Sequence, residues 1–409
     1  MMRFGLLGRS LSHSYSPLIH QYLGDYPYDL FEKEPEEISG FLENEDFTGI
    51  NVTSPYKKTV LPYCDELTQI AKRLGAVNTI VKHADGTLLG HNSDYFGFCS
   101  MIGKLGISVS GKKVLVLGSG GASATVVAAL QDMGANPVVI SRSGEDNYSN
   151  VQQHKDAALI VNATPVGMYP HTGDKPLDLG CFRQLEAVAD LIYNPARTRL
   201  LMDAEKHGLK TENGLWMLVA QAKESAELFT GMSIDDRKIN EIYCVLRQQM
   251  ENIILIGMPG CGKSTVGAAL AAAFGRSFMD TDKEIEKTAG CTIPEIFEKD
   301  GEPGFRKLET EVLTRLGKES GLVIATGGGC VTKEENYPLL HGNSKIIWLQ
   351  RNLEKLPAEG RPLSLSGSLQ GMFEMRQPLY RQFADITVSN DDAVSETVQK
   401  ILNALRETP

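Results

Sequence analysis

The chain has 409 residues, 42% hydrophobic and 22% charged, with a formal net charge of −10. That length exceeds one core and predicts two to three domains of ordinary globular composition. The acidic balance argues against nucleic acid as a partner, because non-specific binding there needs clustered Lys and Arg.

The start, "MMRFGLLGRSLSHS", lacks the apolar run and cleavage site of a secretory signal. No run approaches the roughly 18 apolar residues of a membrane helix. Seven cysteines occur without a C-x-x-C pair. Neither a disulfide framework nor structural zinc is therefore expected, and a reducing cytoplasm fits.

Three blocks follow in chain order: residues 1–100, 101–249 and 250–409. The first carries short strand-like runs, "FGLLG" and "GINVT". The second opens with "KKVLVLGSGGASATVVAALQDMGANPVVISRS". A buried strand over Val114–Leu117 meets a glycine turn, a helix rich in Ala and Val, and a second strand over Val138–Ser141. That is the order of a Rossmann unit. Gly118 and Gly120 take the first two positions of G-x-G-x-x-G/A, and Ser123 stands at the third. The loop Gly118, Ser119, Gly120, Gly121 and Ala122 is thus a candidate pyrophosphate cradle at a helix N-terminus. A structural glycine turn is the plainer reading of these residues alone.

The second strand ends in Ser141 and Arg142, where NAD sites usually carry an acid. A guanidinium there suits the 2′-phosphate of NADP, unless Arg142 is a solvated loop residue. The polar stretch behind it holds Glu145 and Asp146. It leaves room for NAD.

"SIDDRKINEIYCVLRQQM" reads as a packed helix rather than a linker. Ser233 and Asp236 suggest a capping box. Ile239, Ile242, Tyr243, Leu246 and Met250 recur at helical spacing. One to three residues then separate this helix from the strand "NIILIG".

"GMPGCGKS" fits G-x-x-x-x-G-K-[ST] between that strand and the helix "TVGAALAAAFG". The backbone from Gly257 through Gly260, Cys261 and Gly262 would wrap the phosphates of ATP. Lys263 would reach the β/γ oxygens, Ser264 would ligate Mg²⁺, and Thr265 continues the helix N-terminus.

Two resemblances follow. "SLSHSYSP", "INVTSPYKKTV", "GAVNTI", "GHNSDYFGF", "NATPVGM", "DLIYNP" and "GLWMLVAQA" occur in the order of the shikimate dehydrogenase family, over residues 1–249. The resemblance implies Lys57 and Asp94 as the catalytic pair. It implies Ser14, Ser16, Thr53, Asn78, Tyr193 and Gln221 as substrate-binding groups, and adds Asn162, Thr164 and Gly214 to the NADP site. Chemically the set is coherent: a carbonyl accepting hydride needs a proton donor and positive field, and a polyhydroxy ring needs neutral donors and acceptors. Taken singly, Lys57 would be a surface lysine and Asp94 a helix cap.

"FMDTDKEI", "GEPGFRKLE", "ATGGGCV", "GRPLS" and "RQPLYRQFAD" resemble shikimate kinase across residues 252–409. This implies Asp280 beside Mg²⁺ and Asp282 on the acceptor hydroxyl. Arg306 and Arg376 would grip the substrate carboxylate, with Glu309 orienting Arg306. Gly327, Gly328 and Gly329 would bring backbone close to the ring, and Arg361 would act from a lid. Cys261 and Cys330 sit beside these glycines as fillers, or as points of thiol sensitivity.

The expected fold is α/β throughout: a dehydrogenase substrate domain, a Rossmann NADP domain whose C-terminal helices return to it, and a P-loop kinase domain. The expected activity is NADPH-dependent reduction of 3-dehydroshikimate, then phosphorylation of shikimate by ATP. The alternatives are an NAD-dependent quinate/shikimate dehydrogenase fused to the kinase, or one half serving as a binding or regulatory module. Small molecules are the expected partners, with no nucleic acid and no membrane.

Overall fold

The computed structural model describes residues 3–12, 14–44, 46–356 and 369–407. Arg361, expected on a lid, lies outside them. The chain packs into two compact units. One comprises Met1–Met168, Asp174–Tyr193 and Leu200–Leu246; the other comprises Tyr169–Gly173, Asn194–Arg199 and Arg247–Pro409.

The first unit holds two sheets. One is mixed: β1 (Phe4–Gly8), β2 (Tyr28–Glu32), β3 (Gly49–Val52), β4 (Glu66–Leu67), β5 (Thr79–Lys82) and β6 (Leu88–His91), in the order β2-β1-β3-β5-β6-β4. β1 pairs parallel with β2 and β3, whereas β5 runs antiparallel to β3 and β6. β1 and β3 are buried at every residue. Both read as continuous apolar runs because both of their faces are covered.

The other sheet is parallel: β7 (Lys113–Leu117), β8 (Asn136–Ile140), β9 (Leu159–Asn162), β10 (Ala187–Asp190) and β11 (Lys210–Glu212), in the order β11-β10-β9-β7-β8. Strand order reverses between β7 and β9, the place where such sheets open a crevice. The helix Gly214–Thr230 packs back on the first sheet, with Phe229 stacked on Phe4 at 5.0 Å.

The helix Arg237–Met250 buries Ile239, Ile242, Tyr243, Leu246 and Met250, the residues its spacing singles out. Its expected cap is corrected. Asp235, not Ser233, accepts from the N–H of Arg237 at 2.9 Å. Asp236 instead pairs with Lys223 at 2.7 Å, a lysine only 6% exposed that Glu227 also holds at 3.0 Å. Glu251 alone separates this helix from the next strand.

The second unit is built on a parallel sheet of β12 (Asn252–Ile256), β13 (Phe278–Asp280), β14 (Val323–Ala325), β15 (Ser344–Gln350) and β16 (Ile386–Ser389), ordered β13-β14-β12-β15-β16. β12 is central, and Ile253, Ile254, Leu255 and Ile256 lie in one core cluster with Val266, Leu270, Ile346 and Trp348. Each such side chain contributes about 1.5–3 kcal/mol by leaving water. That core fixes the C-terminal end of β12, from which the second glycine loop departs.

Candidate active sites

In the first unit, a cleft of about 500 Å³ joins the two sheets' sites. Ser14, Ser16, Thr53, Lys57, Asn78, Asp94, Tyr193, Gly214, Gln221 and Ala122 all line it. Lys57 lies in the turn region after β3, and Asp94 begins the helix Asp94–Leu105. Lys57 Nζ donates to Asp94 Oδ2 at 2.6 Å, and both side chains remain partly exposed to the cleft. An ammonium held this way can face a developing oxyanion and pass it a proton.

Behind the cleft is a polar network. Asn78 Nδ2 donates to Ser93 Oγ at 3.1 Å, and the Ser93 N–H returns to Asn78 Oδ1 at 2.7 Å. Ser93 Oγ donates to Gln221 Oε1 at 3.2 Å. Ser225 Oγ lies 2.8 Å from Asn51 Nδ2, 2.9 Å from Thr79 Oγ1 and 3.0 Å from Ser93 Oγ. Tyr28 closes the set by donating to Asn51 Oδ1 at 2.7 Å. This network fixes the amides of Asn78 and Gln221. Asn51, Ser93 and Ser225 were not anticipated, although Asn51 gave a signal: it is an amide inside an otherwise apolar buried strand.

Tyr193 meets Tyr15 edge-on at 6.2 Å. Burial, with Tyr15 adding to it, pushes its phenol above the ordinary tyrosine range, so it stays a donor.

Ala122, in the first turn of the helix that follows the loop after β7, lines the same cleft. Gly118 has φ 103°, and a Cβ there would lie 2.9 Å from Thr164 Cγ2. Among the described residues, nothing beyond the adjoining chain lies within 4 Å of the Cβ positions of Gly120 or Gly121. Ser119, Gly120, Gly121 and Ala122 are exposed, and the helix Gly121–Asp132 has no side-chain cap, so its first N–H groups face outward. Ser123 is buried at the helix–strand contact, as its motif position requires.

Arg142 is exposed and makes no hydrogen bond or ion pair among the described residues. Of the two acids near it, Asp146 is taken by His154, with Oδ1 to Nε2 at 2.8 Å. Ser141 is buried, and its N–H donates to the Asp146 carbonyl at 3.1 Å.

Asn162 departs from its expected role. It is fully buried, and its amide donates to Val166 O at 3.3 Å and Asp190 Oδ1 at 3.0 Å. Its oxygen accepts from the Thr164 N–H at 3.1 Å and hydroxyl at 2.7 Å. The side chain has no surface for a cofactor; it shapes the turn that carries Thr164. Gly214 permits a close approach instead, since a Cβ there would overlap the Leu191 carbonyl.

The second unit carries a cleft of about 630 Å³ lined by Gly260, Gly262, Lys263, Ser264, Thr265, Asp280, Asp282, Arg306, Glu309, Gly327, Gly328, Gly329 and Arg376. Gly262 has φ 96° and caps the helix Lys263–Phe274, a conformation that side chains strongly resist. Lys263 is buried, and its Nζ donates to the carbonyls of Gly257 and Met258, each at 2.9 Å. Ser264 Oγ donates to Asp280 Oδ2 at 2.6 Å, and Asp280 Oδ1 accepts from the Asp282 N–H at 3.1 Å.

Arg306 is held from two sides. Nη1 donates to Glu309 Oε2 at 2.8 Å, and Nη2 and Nε donate to Glu302 Oε1 at 3.1 and 3.3 Å. Burial alone would lower the guanidinium's pKa, but the two carboxylates outweigh it and raise it. Burial pushes Glu309 above the usual carboxylate range, against the pull of Arg306. Glu302 is half exposed, so a ligand carboxylate can take its place while Glu309 keeps the fork aimed.

The glycine run has a reason that sequence alone did not reveal. A Cβ on Gly329 would overlap the Arg306 guanidinium. On Gly327 it would lie 2.9 Å from Asp282 Oδ1, and on Gly328 2.7 Å from Pro259 Cδ. The run makes room for charged side chains first. Arg376 Nη1 donates to the Gly328 carbonyl at 3.1 Å, and the Tyr380 hydroxyl donates there too. The Gly327 N–H donates to Thr281 Oγ1 at 3.0 Å, and Arg351 also lines the cleft; Thr281, Tyr380, Glu302 and Arg351 were all unforeseen here.

The expected thiol sensitivity is corrected as well. Cys261 and Cys330 are 1% and 0% exposed. Burial pushes the Cys330 thiol up to about 12, which leaves almost no reactive thiolate.

Comparison with known proteins points to two families along the chain. Residues 6–80 match the shikimate dehydrogenase substrate binding domain, and residues 259–406 match shikimate kinase. A shikimate dehydrogenase (NADP(+)) of Clostridium perfringens is 34% identical over 265 residues, covering 59% of this chain and 97% of that protein. A crystal structure of shikimate 5-dehydrogenase from Thermus thermophilus in complex with NADP(H) and shikimate is similar at TM-score 0.55 and 32% identity, covering 60% of this chain and 99% of that one. A quinate dehydrogenase from Corynebacterium glutamicum in complex with NAD is similar at TM-score 0.54 and 28% identity, covering 60% and 99%. With the Lys57–Asp94 pair, two glycine loops on parallel sheets and these matches together, the chain belongs to the shikimate dehydrogenase family in its N-terminal part and carries a shikimate kinase domain behind it.

Proposed function

We propose that this chain is a bifunctional enzyme: it reduces 3-dehydroshikimate to shikimate with NADPH, then phosphorylates shikimate to shikimate 3-phosphate with ATP. The observation that carries the reading is that each unit has one cleft in which charged and polar side chains stand beside a glycine-rich loop or the helix that follows it. The two reactions meet on one oxygen. The carbonyl reduced at the first site becomes the hydroxyl phosphorylated at the second.

In the first cleft, bound NADPH supplies the hydride. Lys57 gives its proton to the carbonyl oxygen, and Asp94 holds the ammonium in line and stabilises its charge before transfer. Ser14, Ser16, Thr53, Asn78, Tyr193 and Gln221 orient the ring. The preference for NADP over NAD rests on Arg142, whose guanidinium has no other anionic partner among the described residues.

In the second, the N–H groups of the loop and Lys263 hold the phosphates, and Arg361 completes that field. Asp282 accepts the proton of the attacking hydroxyl, while Arg306 and Arg376 bind the substrate carboxylate. Ser264 and Asp280 would hold Mg²⁺, which neutralises charge on the phosphates when bound. The donor set fits: two hard oxygens lie 2.6 Å apart beside the loop, and Mg²⁺ commonly takes one or two protein oxygens, its remaining ligands being phosphate and water. We assign residues 1–100, 101–249 and 250–409 to substrate, NADP and kinase domains, working on small molecules in the cytoplasm.

A coupled assay tests the whole reading. Purified chain receives 3-dehydroshikimate, NADPH, ATP and Mg²⁺, and shikimate 3-phosphate is measured with each component omitted in turn. Product should require all four. Product formed with NADH as fast as with NADPH would refute the role of Arg142.

A further inference from the structure

The kinase cleft contains a cation that neither motif explains. Arg351 directly follows β15 and lines the cleft beside the phosphate loop, with Gly260, Gly262 and Lys263. Its Nη1 lies 4.0 Å from the point where a Cβ on Gly262 would sit. Its Nε is buried without a hydrogen-bond partner. The guanidinium makes no ion pair among the described residues.

This isolation is not for want of a carboxylate nearby. Asp391 Oδ1 accepts from the N–H of Asn352, the next residue, at 2.9 Å, and Asp391 Oδ2 accepts from Ser389 Oγ at 3.1 Å. Asn352 is thereby pinned, while the Arg351 guanidinium reaches Asp391 only through its field and makes no hydrogen bond or ion pair with it. The loop opposite is pinned too, because Asn390 Nδ2 donates to the Cys261 carbonyl at 2.7 Å. A fixed guanidinium with unspent donors beside a phosphate loop is costly unless an anion completes it.

We propose that Arg351 is a nucleotide-binding residue, donating to phosphate oxygens of the nucleoside triphosphate in this cleft. Its planar fork matches phosphate geometry, and its place at the end of a core strand makes it a fixed contact. The inference rests on the reading of this cleft as a kinase site.

The test is calorimetric titration of the full chain with ATP in the absence of shikimate, with steady-state kinetics alongside. Arg351→Ala should weaken ATP about tenfold, and Arg351→Lys should recover part of the loss. The KM for shikimate at saturating ATP should be unchanged, which also shows that the unit folds. GTP, where it binds, should weaken by the same factor as ATP. Unchanged ATP affinity in Arg351→Ala overturns the proposal. So does a loss confined to ATP, which would mean contact with the base. If Arg351→Ala does not fold, the same comparison on Arg351→Lys and Arg351→Gln decides, with Lys expected to bind more tightly. Should the wild type bind ATP but fail to phosphorylate shikimate, the functional reading fails while the titration still judges Arg351.

Discussion

The guanidinium of Arg306 fills the space that a side chain on Gly329 would need. Gly329→Ala must therefore displace Arg306 or the backbone, a strain of about 1–3 kcal/mol. Displacement breaks the aim that Glu309 gives Arg306 at 2.8 Å. Steady-state phosphorylation by Gly329→Ala should show the KM for shikimate raised tenfold or more and the KM for ATP nearly unchanged. Equal loss in both would mean that the unit is damaged generally.

The two lysines proposed to be catalytic should separate the activities. Lys57→Ala removes the proton donor and its field, and should cost reduction about 10²–10⁴-fold. Phosphorylation of added shikimate should persist. Lys263→Ala should do the reverse. Both rates surviving either substitution would remove these residues from the sites.

His20 predicts an acid dependence of the first unit. It is buried, stacked on Tyr28 at 4.0 Å, and its Nδ1 lies 2.8 Å from the Tyr26 hydroxyl. Burial pulls its pKa down to about 3, against 6.5 in the unfolded chain. Between those values the unfolded chain binds the extra proton, so stability falls as the pH drops below about 6.5. The slope is about 1.4 kcal/mol per unit, or about 2 kcal/mol between pH 7 and pH 5. Hydrogen exchange in β1 and β3 should show this slope in the wild type and lose it in His20→Gln. Parallel pH profiles for the two would reject it.

Thiol reagents should spare the kinase. Cys244 is exposed, whereas Cys261 and Cys330 are buried beside the glycines. Iodoacetamide at pH 8 should label Cys244 with the phosphorylation rate unchanged, as read by peptide mass mapping and assay. Labelling of Cys330 in the folded protein would contradict its burial.

Sequence reading was most complete where a local pattern carried the physics. The strands on either side of Gly118, the loop from Gly257 to Ser264 and the buried stripe of the helix Arg237–Met250 all follow from period and motif. It failed where the deciding contact is distant in the chain. Asp235 capped a helix that Ser233 was expected to cap, and Asp236 pairs with Lys223. Asn162 reads as a cofactor contact in the sequence, but Val166, Asp190 and Thr164 take its side-chain hydrogen bonds. Ser225 and Ser93 are hydroxyls with no period or motif. Their value lies only in meeting Asn51, Thr79 and Gln221 across the fold. Arg351 likewise needed the loop beside it to become visible.

The helix Gly214–Thr230 touches both sheets of the first unit. Its first residue rests on the Leu191 carbonyl beyond β10, and its last turns hold the first sheet through Ser225 and Phe229. Gln221 lies between those anchors and faces the cleft. The helix thus ties the two sheets together and carries a cleft-lining amide at its middle. Both walls of the cleft are therefore anchored on one helix, and a substitution that bends it should disturb both together.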